Sequence, residues 1–141
     1  MATVLVIGAS RGIGLEFAHQ YSAAGERVLA TARDAAGLQR IKDIGATAIK
    51  LDVADPASVS GLAWQLEEEH IDIALYVAGV YSTAGADTPP TQPEFDQLMH
   101  TNVLGAMQAI PQVAPLVAQA RAGKGGTCGF ITRGLGHGGT A

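Results

Sequence analysis

Apolar positions along this chain fall into short runs separated by amphipathic stretches, and the alternation is regular enough to lay out a fold. Val4–Ile7 is a β-branched run that reads as a buried strand, and Gly8-Ala9-Ser10-Arg11-Gly12-Ile13-Gly14 follows it directly. Ile13, Phe17, Tyr21 and Ala24 then recur at helical spacing, so a helix is predicted over Gly12–Ala24 with Gly25 as its stop. Arg27–Ala32 predicts a second strand, Ala35–Ile44 a short helix ended by Gly45, and Thr47–Leu51 a third strand. Asp55-Pro56 marks the next helix start, with proline at the first helical position. Val59, Leu62, Ala63 and Leu66 give that helix one apolar face, and it is predicted to run to about His70. Ile71–Val77 is apolar almost throughout, as expected of a strand buried on both faces. A polar, proline-bearing loop over Tyr81–Pro93 leads into a long helical region, Glu94–Ala120, interrupted by Pro111 and Pro115. This rhythm of strand and helix predicts an α/β, Rossmann-type doubly wound parallel sheet with right-handed crossovers.

Composition narrows the picture. With 48% hydrophobic and 16% charged residues, the 141-residue chain has material for one real core and little reason to be disordered before its tail. A net charge of −4 argues against nucleic acid or an anionic membrane as the main partner. The single cysteine, Cys128, excludes an internal disulfide framework and fits a reducing, cytoplasmic setting. His19, His70, His100 and His137 are scattered, so no metal site is expected. The first apolar run is far too short for a signal peptide or membrane span. Eight glycines fall among the last 19 residues, which sets 123–141 apart from the strand–helix domain over 1–122. Thr127–Thr132 is the one strand candidate in that tail.

Candidate chemistry begins at the glycines. Their spacing lets a chain turn tightly after a strand and lay its backbone against a pyrophosphate at the start of the next helix. Four features follow in order: Arg33 just past the second strand, Asp52-Val53 after the third, Val77-Ala78-Gly79 closing the fourth, and Asn102 inside the long helix. With them, residues 1 to about 120 resemble the short-chain dehydrogenase/reductase family, nearest its small carbonyl-reductase-like members related to C-factor.

The resemblance implies roles for these residues. Gly8, Gly12 and Gly14, with Ser10, Arg11 and Ile13 between and beside them, would form the phosphate loop. Arg33 stands where NAD-preferring relatives carry an acidic residue, and with Arg11 it would favour the 2′-phosphate of NADP over NAD. Asp34 follows it directly. Asp52 would bond the adenine amino group and the Val53 amide a ring nitrogen. Ala78 and Gly79 would let backbone lie close to the adenine ribose, with Val80 flanking the cofactor. Asn102 would hold a water of the proton relay through its carbonyl. An asparagine is unfavourable inside a helix, which favours a special role.

The chain also departs from the family. Ile7 stands where a turn-stabilising threonine is usual, and Tyr76-Val77 replace two asparagines that brace the central sheet. The family's chemistry uses Ser, Tyr and a Lys four residues after the Tyr. Here none of Tyr21, Tyr76 and Tyr81 has lysine at that position, and Phe130-Ile131-Thr132-Arg133 stands where the strand should end in Ser-Ser. Codons for Thr127–Gly134 exist whose one-base shift reads Leu-Ala-Val-Ser-Ser-Arg-Val. Residues from about Lys124 onward are therefore read as a frameshifted remnant of a longer reductase, and the sheet as cut after about five strands.

Three functions remain open on the sequence: an NADP(H)-dependent oxidoreductase of the carbonyl/alcohol type lacking its catalytic half, a nucleotide-binding or sensor module without turnover, and an inert, self-associating fragment. Phe95, Met99, Val103 and Met107 line one side of Glu94–Ala120, where relatives of the family dimerise, so a homodimer is expected.

Overall fold

The structure, a computed structural model, describes residues 1–66, 69–78, 87–118 and 126–130. Five parallel strands, β1 (Thr3–Ile7), β2 (Arg27–Ala32), β3 (Thr47–Lys50), β4 (Ile73–Tyr76) and β5 (Thr127–Phe130), form one sheet in the order β3-β2-β1-β4-β5. The order reverses direction between β1 and β4, and in open sheets of this kind that switch point opens a crevice at the carboxyl ends of the strands.

Successive side chains of a strand point to opposite faces, and both faces here are apolar. Val4 and Val6 join Val28, Ala30 and Ala32 on one side, closed by Ala18 of α1 (Gly12–Ala23) and Ile41 of α2 (Ala35–Asp43). Leu5 and Ile7 join Leu29, Ile49, Ala74 and Tyr76 on the other. That face is closed by Val59 of α3 (Pro56–Ser60), Leu62 of α4 (Leu62–Gln65), and Ala109, Val113 and Val117 of α6 (Gly105–Ala118). Both α1 and α2 end as expected. Glu26 N–H bonds the Tyr21 carbonyl around Gly25, and Ala46 N–H bonds the Ile41 carbonyl around Gly45.

Three expectations are corrected. The helix read from Pro56 to His70 is broken at Gly61 into α3 and α4, glycine being the poorest residue short of proline at continuing a helix. Ile13 is 60% exposed, and the buried residues of α1 are Gly14 and Ala18, so only part of its apolar stripe faces the core. The prolines do not interrupt the long helical region. α5 (Gln92–Met99) runs through a wide π-helical turn, His100–Leu104, into α6, which contains both Pro111 and Pro115. These two are four residues apart on the exposed side, so the carbonyls they leave unpaired, Met107 and Pro111, lie where water reaches them.

Thr127–Phe130 pairs with β4 as written, Thr127 with Ile73 and Phe130 with Tyr76. The rest of the expected tail strand, Ile131 and Thr132, and the glycine-rich residues 123–125 and 133–141 lie outside the described residues, as do Gly79, Val80 and Tyr81. Among the described residues, no helix is long and apolar enough to cross a membrane.

Candidate functional site

A parallel sheet brings the segments that follow each strand to one rim, and here that rim collects Gly8–Gly14, Arg33, Asp52-Val53 and Ala78. The Ile7 carbonyl, the last of β1, accepts from both Val77 N–H (2.8 Å) and Ala78 N–H (2.9 Å). Gly8 follows at φ +93°, and a Cβ there would stand 2.4 Å from the Ala78 nitrogen. A Cβ on Gly14 would fall 1.9 Å from the Gly8 carbonyl oxygen. The first and last glycines of the loop are thus required by backbone touching backbone. Gly12 is different: its φ is +59° and nothing lies within 4 Å of where its Cβ would be, so the middle of the loop faces open space.

The hydroxyl that Ile7 cannot supply comes from β2. Thr31, the one polar residue that strand buries, accepts from Gly8 N–H through Oγ1 (3.0 Å) and from Ala9 N–H through its carbonyl (2.8 Å). The turn is braced after all, from a residue 23 positions away. A threonine alone among the apolar positions 28–32 was the available signal.

The helix starts differ in kind. Asp34 Oδ1 accepts from Gly37 N–H at α2, Asp55 Oδ1 from Ala57 N–H at α3, and Thr91 with Glu94 forms a reciprocal capping box at α5. α1 begins at Arg11 with no side-chain cap and no acidic residue in its first turn. Its leading N–H groups and the positive end of its dipole therefore point into the open space before Gly12, an arrangement suited to an anion. Arg11 and Arg33 are exposed at this end of the sheet, and neither side chain has a partner among the described residues.

Asp52 closes a turn of its own, Oδ1 accepting from Ala54 N–H at 2.9 Å while its N–H donates to Ser58 Oγ at 3.0 Å. That turn meets the π-helical segment. His100 Nε2 lies 2.8 Å from the Ala54 carbonyl oxygen, and a Cβ on Gly105 would come within 3.0 Å of the Val53 carbonyl. Asn102 is thereby carried on a wide, π-helical turn that packs against the segment following Asp52-Val53. Tyr76, in place of an asparagine, donates from its hydroxyl to the Thr101 carbonyl (3.4 Å) and tilts against Phe130 with ring centroids 6.2 Å apart. Burial pushes its phenol up to about 12. Sequence reasoning gave no role to Thr31, Arg40 or His100, since each acts through a contact remote in sequence.

A sequence profile described as short chain dehydrogenase matches residues 2–132 of the chain. The chain belongs to the short-chain dehydrogenase family. Within that family it is 31% identical, over 142 aligned positions, to the 3-oxoacyl-[acyl-carrier-protein] reductase FabG of Escherichia coli, covering 97% of this chain and 58% of that protein. Among solved structures, a short-chain dehydrogenase/reductase of Burkholderia multivorans with bound NADP superposes with a TM-score of 0.74 at 28% identity, over 82% of this chain and 53% of the other. The RhlG/NADP active-site complex of Pseudomonas aeruginosa does so with a TM-score of 0.72 at 32% identity, over 86% and 50%. The chain therefore spans about half the length of the short-chain dehydrogenases it matches.

Proposed function

We propose that the chain binds NADP(H) at the carboxyl rim of its sheet and supplies the cofactor-binding half of a carbonyl/alcohol oxidoreductase. The observation that carries this reading is the uncapped start of α1, set in a glycine loop that opens onto space, with Arg11 and Arg33 exposed at the same end. The pyrophosphate would lie against the leading amides of α1, over Gly12. Arg33 and Arg11 would read the 2′-phosphate, while Asp34, whose Oδ1 is committed to capping α2, offers the ribose hydroxyls less than a free carboxylate would. Asp52 and Val53 would take the adenine, and Ala78, with Gly79 and Val80 after it, the ribose side. Asn102 would place its carbonyl toward a proton-relaying water. When bound, the cofactor gives or takes the hydride.

Two relatives with NADP in their structures support the choice of dinucleotide. No Tyr-x-x-x-Lys occurs in the sequence, so the chain alone is expected to turn over carbonyl substrates slower by at least the ~10²–10⁴-fold that positioned acid–base catalysis supplies. Phe95, Met99 and Met107 are 49%, 42% and 67% exposed along one helical region, and this face would pair with a second copy. Light scattering of the wild type against a Phe95→Lys/Met107→Lys variant tests that pairing, and a wild type that is monomeric at high concentration ends it.

Titration with NADPH and NADH, followed by nicotinamide fluorescence, tests the main reading. One charge-assisted bond to the 2′-phosphate is worth roughly 1.5–3 kcal/mol, so NADPH should bind at least about tenfold tighter. Equal affinities would remove the NADP preference, and no binding of either would remove the reading.

A further inference from the structure

Arg40 reaches back from the second turn of α2 to the glycine loop. Its Nε donates to the Ser10 carbonyl oxygen at 2.7 Å, across 30 positions of sequence. The approach depends on Gly37: a Cβ at that position would stand 2.7 Å from Ser10 Cβ and 2.8 Å from Ala32 Cβ, so only glycine lets α2 lie this close to the loop. Neither terminal nitrogen of Arg40 has a partner among the described residues, and the side chain is exposed.

Arg27 shows what an arginine with a structural task does here. It gives Nε and Nη2 to the carboxylate of Glu69, which cancels its charge. Arg40 instead anchors on a neutral carbonyl, which fixes the guanidinium plane and leaves its charge available. The carboxylates at the two ends of α2 are engaged elsewhere, that of the N-cap Asp34 by Gly37 N–H and that of Asp43 by Gln39 Nε2. A planar fork held at Nε presents the N–H donors of its two terminal nitrogens to whatever lies beside Ser10. Arg33 leaves β2 at the same rim.

We propose that Arg40 is a specificity-determining residue, a third guanidinium that grips the 2′-phosphate of NADP(H) while its Nε holds the Ser10 carbonyl. This rests on the reading of the rim as a dinucleotide site. It differs from bracing alone, because a brace serves NADPH and NADH equally and a phosphate fork serves only NADPH.

The experiment measures NADPH and NADH dissociation constants for the wild type, Arg40→Ala and Arg40→Lys, with urea melts of each and with 2′-AMP and 5′-AMP as competitors of the wild type. Arg40→Ala should weaken NADPH binding about tenfold more than NADH binding, whose smaller loss reflects only the missing hold on the Ser10 carbonyl. Arg40→Lys, with charge but no fork, should fall between, and 2′-AMP should compete better than 5′-AMP. Equal weakening of both cofactors, or no change in either, overturns the proposal while the dinucleotide reading stands. A wild type that binds neither cofactor overturns both. If Arg40→Ala does not fold, the lysine variant decides: an unchanged NADPH-to-NADH ratio, or equal competition by the two nucleotides, rejects the fork.

Discussion

β4 has a parallel partner on each side, and the two are held by different forces. On one side lies β1, whose Val4, Leu5 and Val6 are fully buried and whose Ile7 is 1% exposed. On the other lies β5, whose Thr127 and Cys128 are exposed and whose Phe130 is 53% exposed. The ladders are alike, so the difference is in the side chains. Because water competes for backbone groups, a ladder alone contributes little net stability, and burial of apolar surface contributes most of it. β1 is therefore locked into the core and β5 is attached mainly by its backbone. The candidate cofactor rim belongs to the locked side, as a site that must hold its geometry within tenths of an ångström requires.

Alanine at two glycines gives the largest contrast. Gly14→Ala drives a methyl into the Gly8 carbonyl at 1.9 Å, with buried backbone on both sides, and the cost should sit at the exceptional end for a single substitution, about 4–5 kcal/mol. Gly129→Ala on β5 meets only a flexible Leu75 methyl at 3.2 Å and should stay within about 0.5 kcal/mol. Urea unfolding followed by circular dichroism reads both, and equal losses would break the comparison.

Truncating the strands themselves comes next. Leu5→Ala empties a fully buried position and should cost about 3 kcal/mol, whereas Phe130→Ala removes a half-exposed ring and its tilted contact with Tyr76, about 1 kcal/mol. A Phe130→Ala loss as large as that of Leu5→Ala would mean β5 is as much core as β1. A smaller effect tests the brace of the loop. Thr31→Val keeps the shape of the side chain but leaves Gly8 N–H without its acceptor, which should cost roughly 1–2 kcal/mol and weaken NADPH and NADH alike. Thr31→Ser, which keeps the hydroxyl, should restore most of the binding.

The two sides also differ in how far the sequence exposes them. Strand, glycine loop and helix at the start of the chain follow from local rules, a β-branched run followed by glycines where backbones must touch, and the described sheet follows from their repetition. What escaped was non-local. Thr31 reaches Gly8, Arg40 reaches Ser10 and His100 reaches Ala54 across 23, 30 and 46 positions, and no periodicity encodes such pairs. The helix of Pro56 onward misled because its apolar spacing continues across Gly61 although its backbone does not. Pro111 and Pro115 misled because the cost of a proline inside a helix can be offset by tertiary packing, here the burial of Ala109, Val113 and Val117, and burial is decided by the fold.

Tyr76 sits where the two sides meet, paired with Ile7 of β1 in one ladder and with Phe130 of β5 in the other. At neutral pH, Tyr76→Phe removes only a 3.4 Å bond to the Thr101 carbonyl and should cost less than about 1 kcal/mol. The pH dependence is more telling. Burial raises the phenol from its usual 10 to about 12, so between those values the folded chain holds a proton that the unfolded chain has released. Stability contributed by the neutral phenol is present below pH 10 and is lost as the pH rises toward 12. The difference in unfolding free energy between wild type and Tyr76→Phe should therefore decline over that interval. Parallel curves would show a phenol already open to water, and with it a seam between β4 and β5 looser than the buried ring implies.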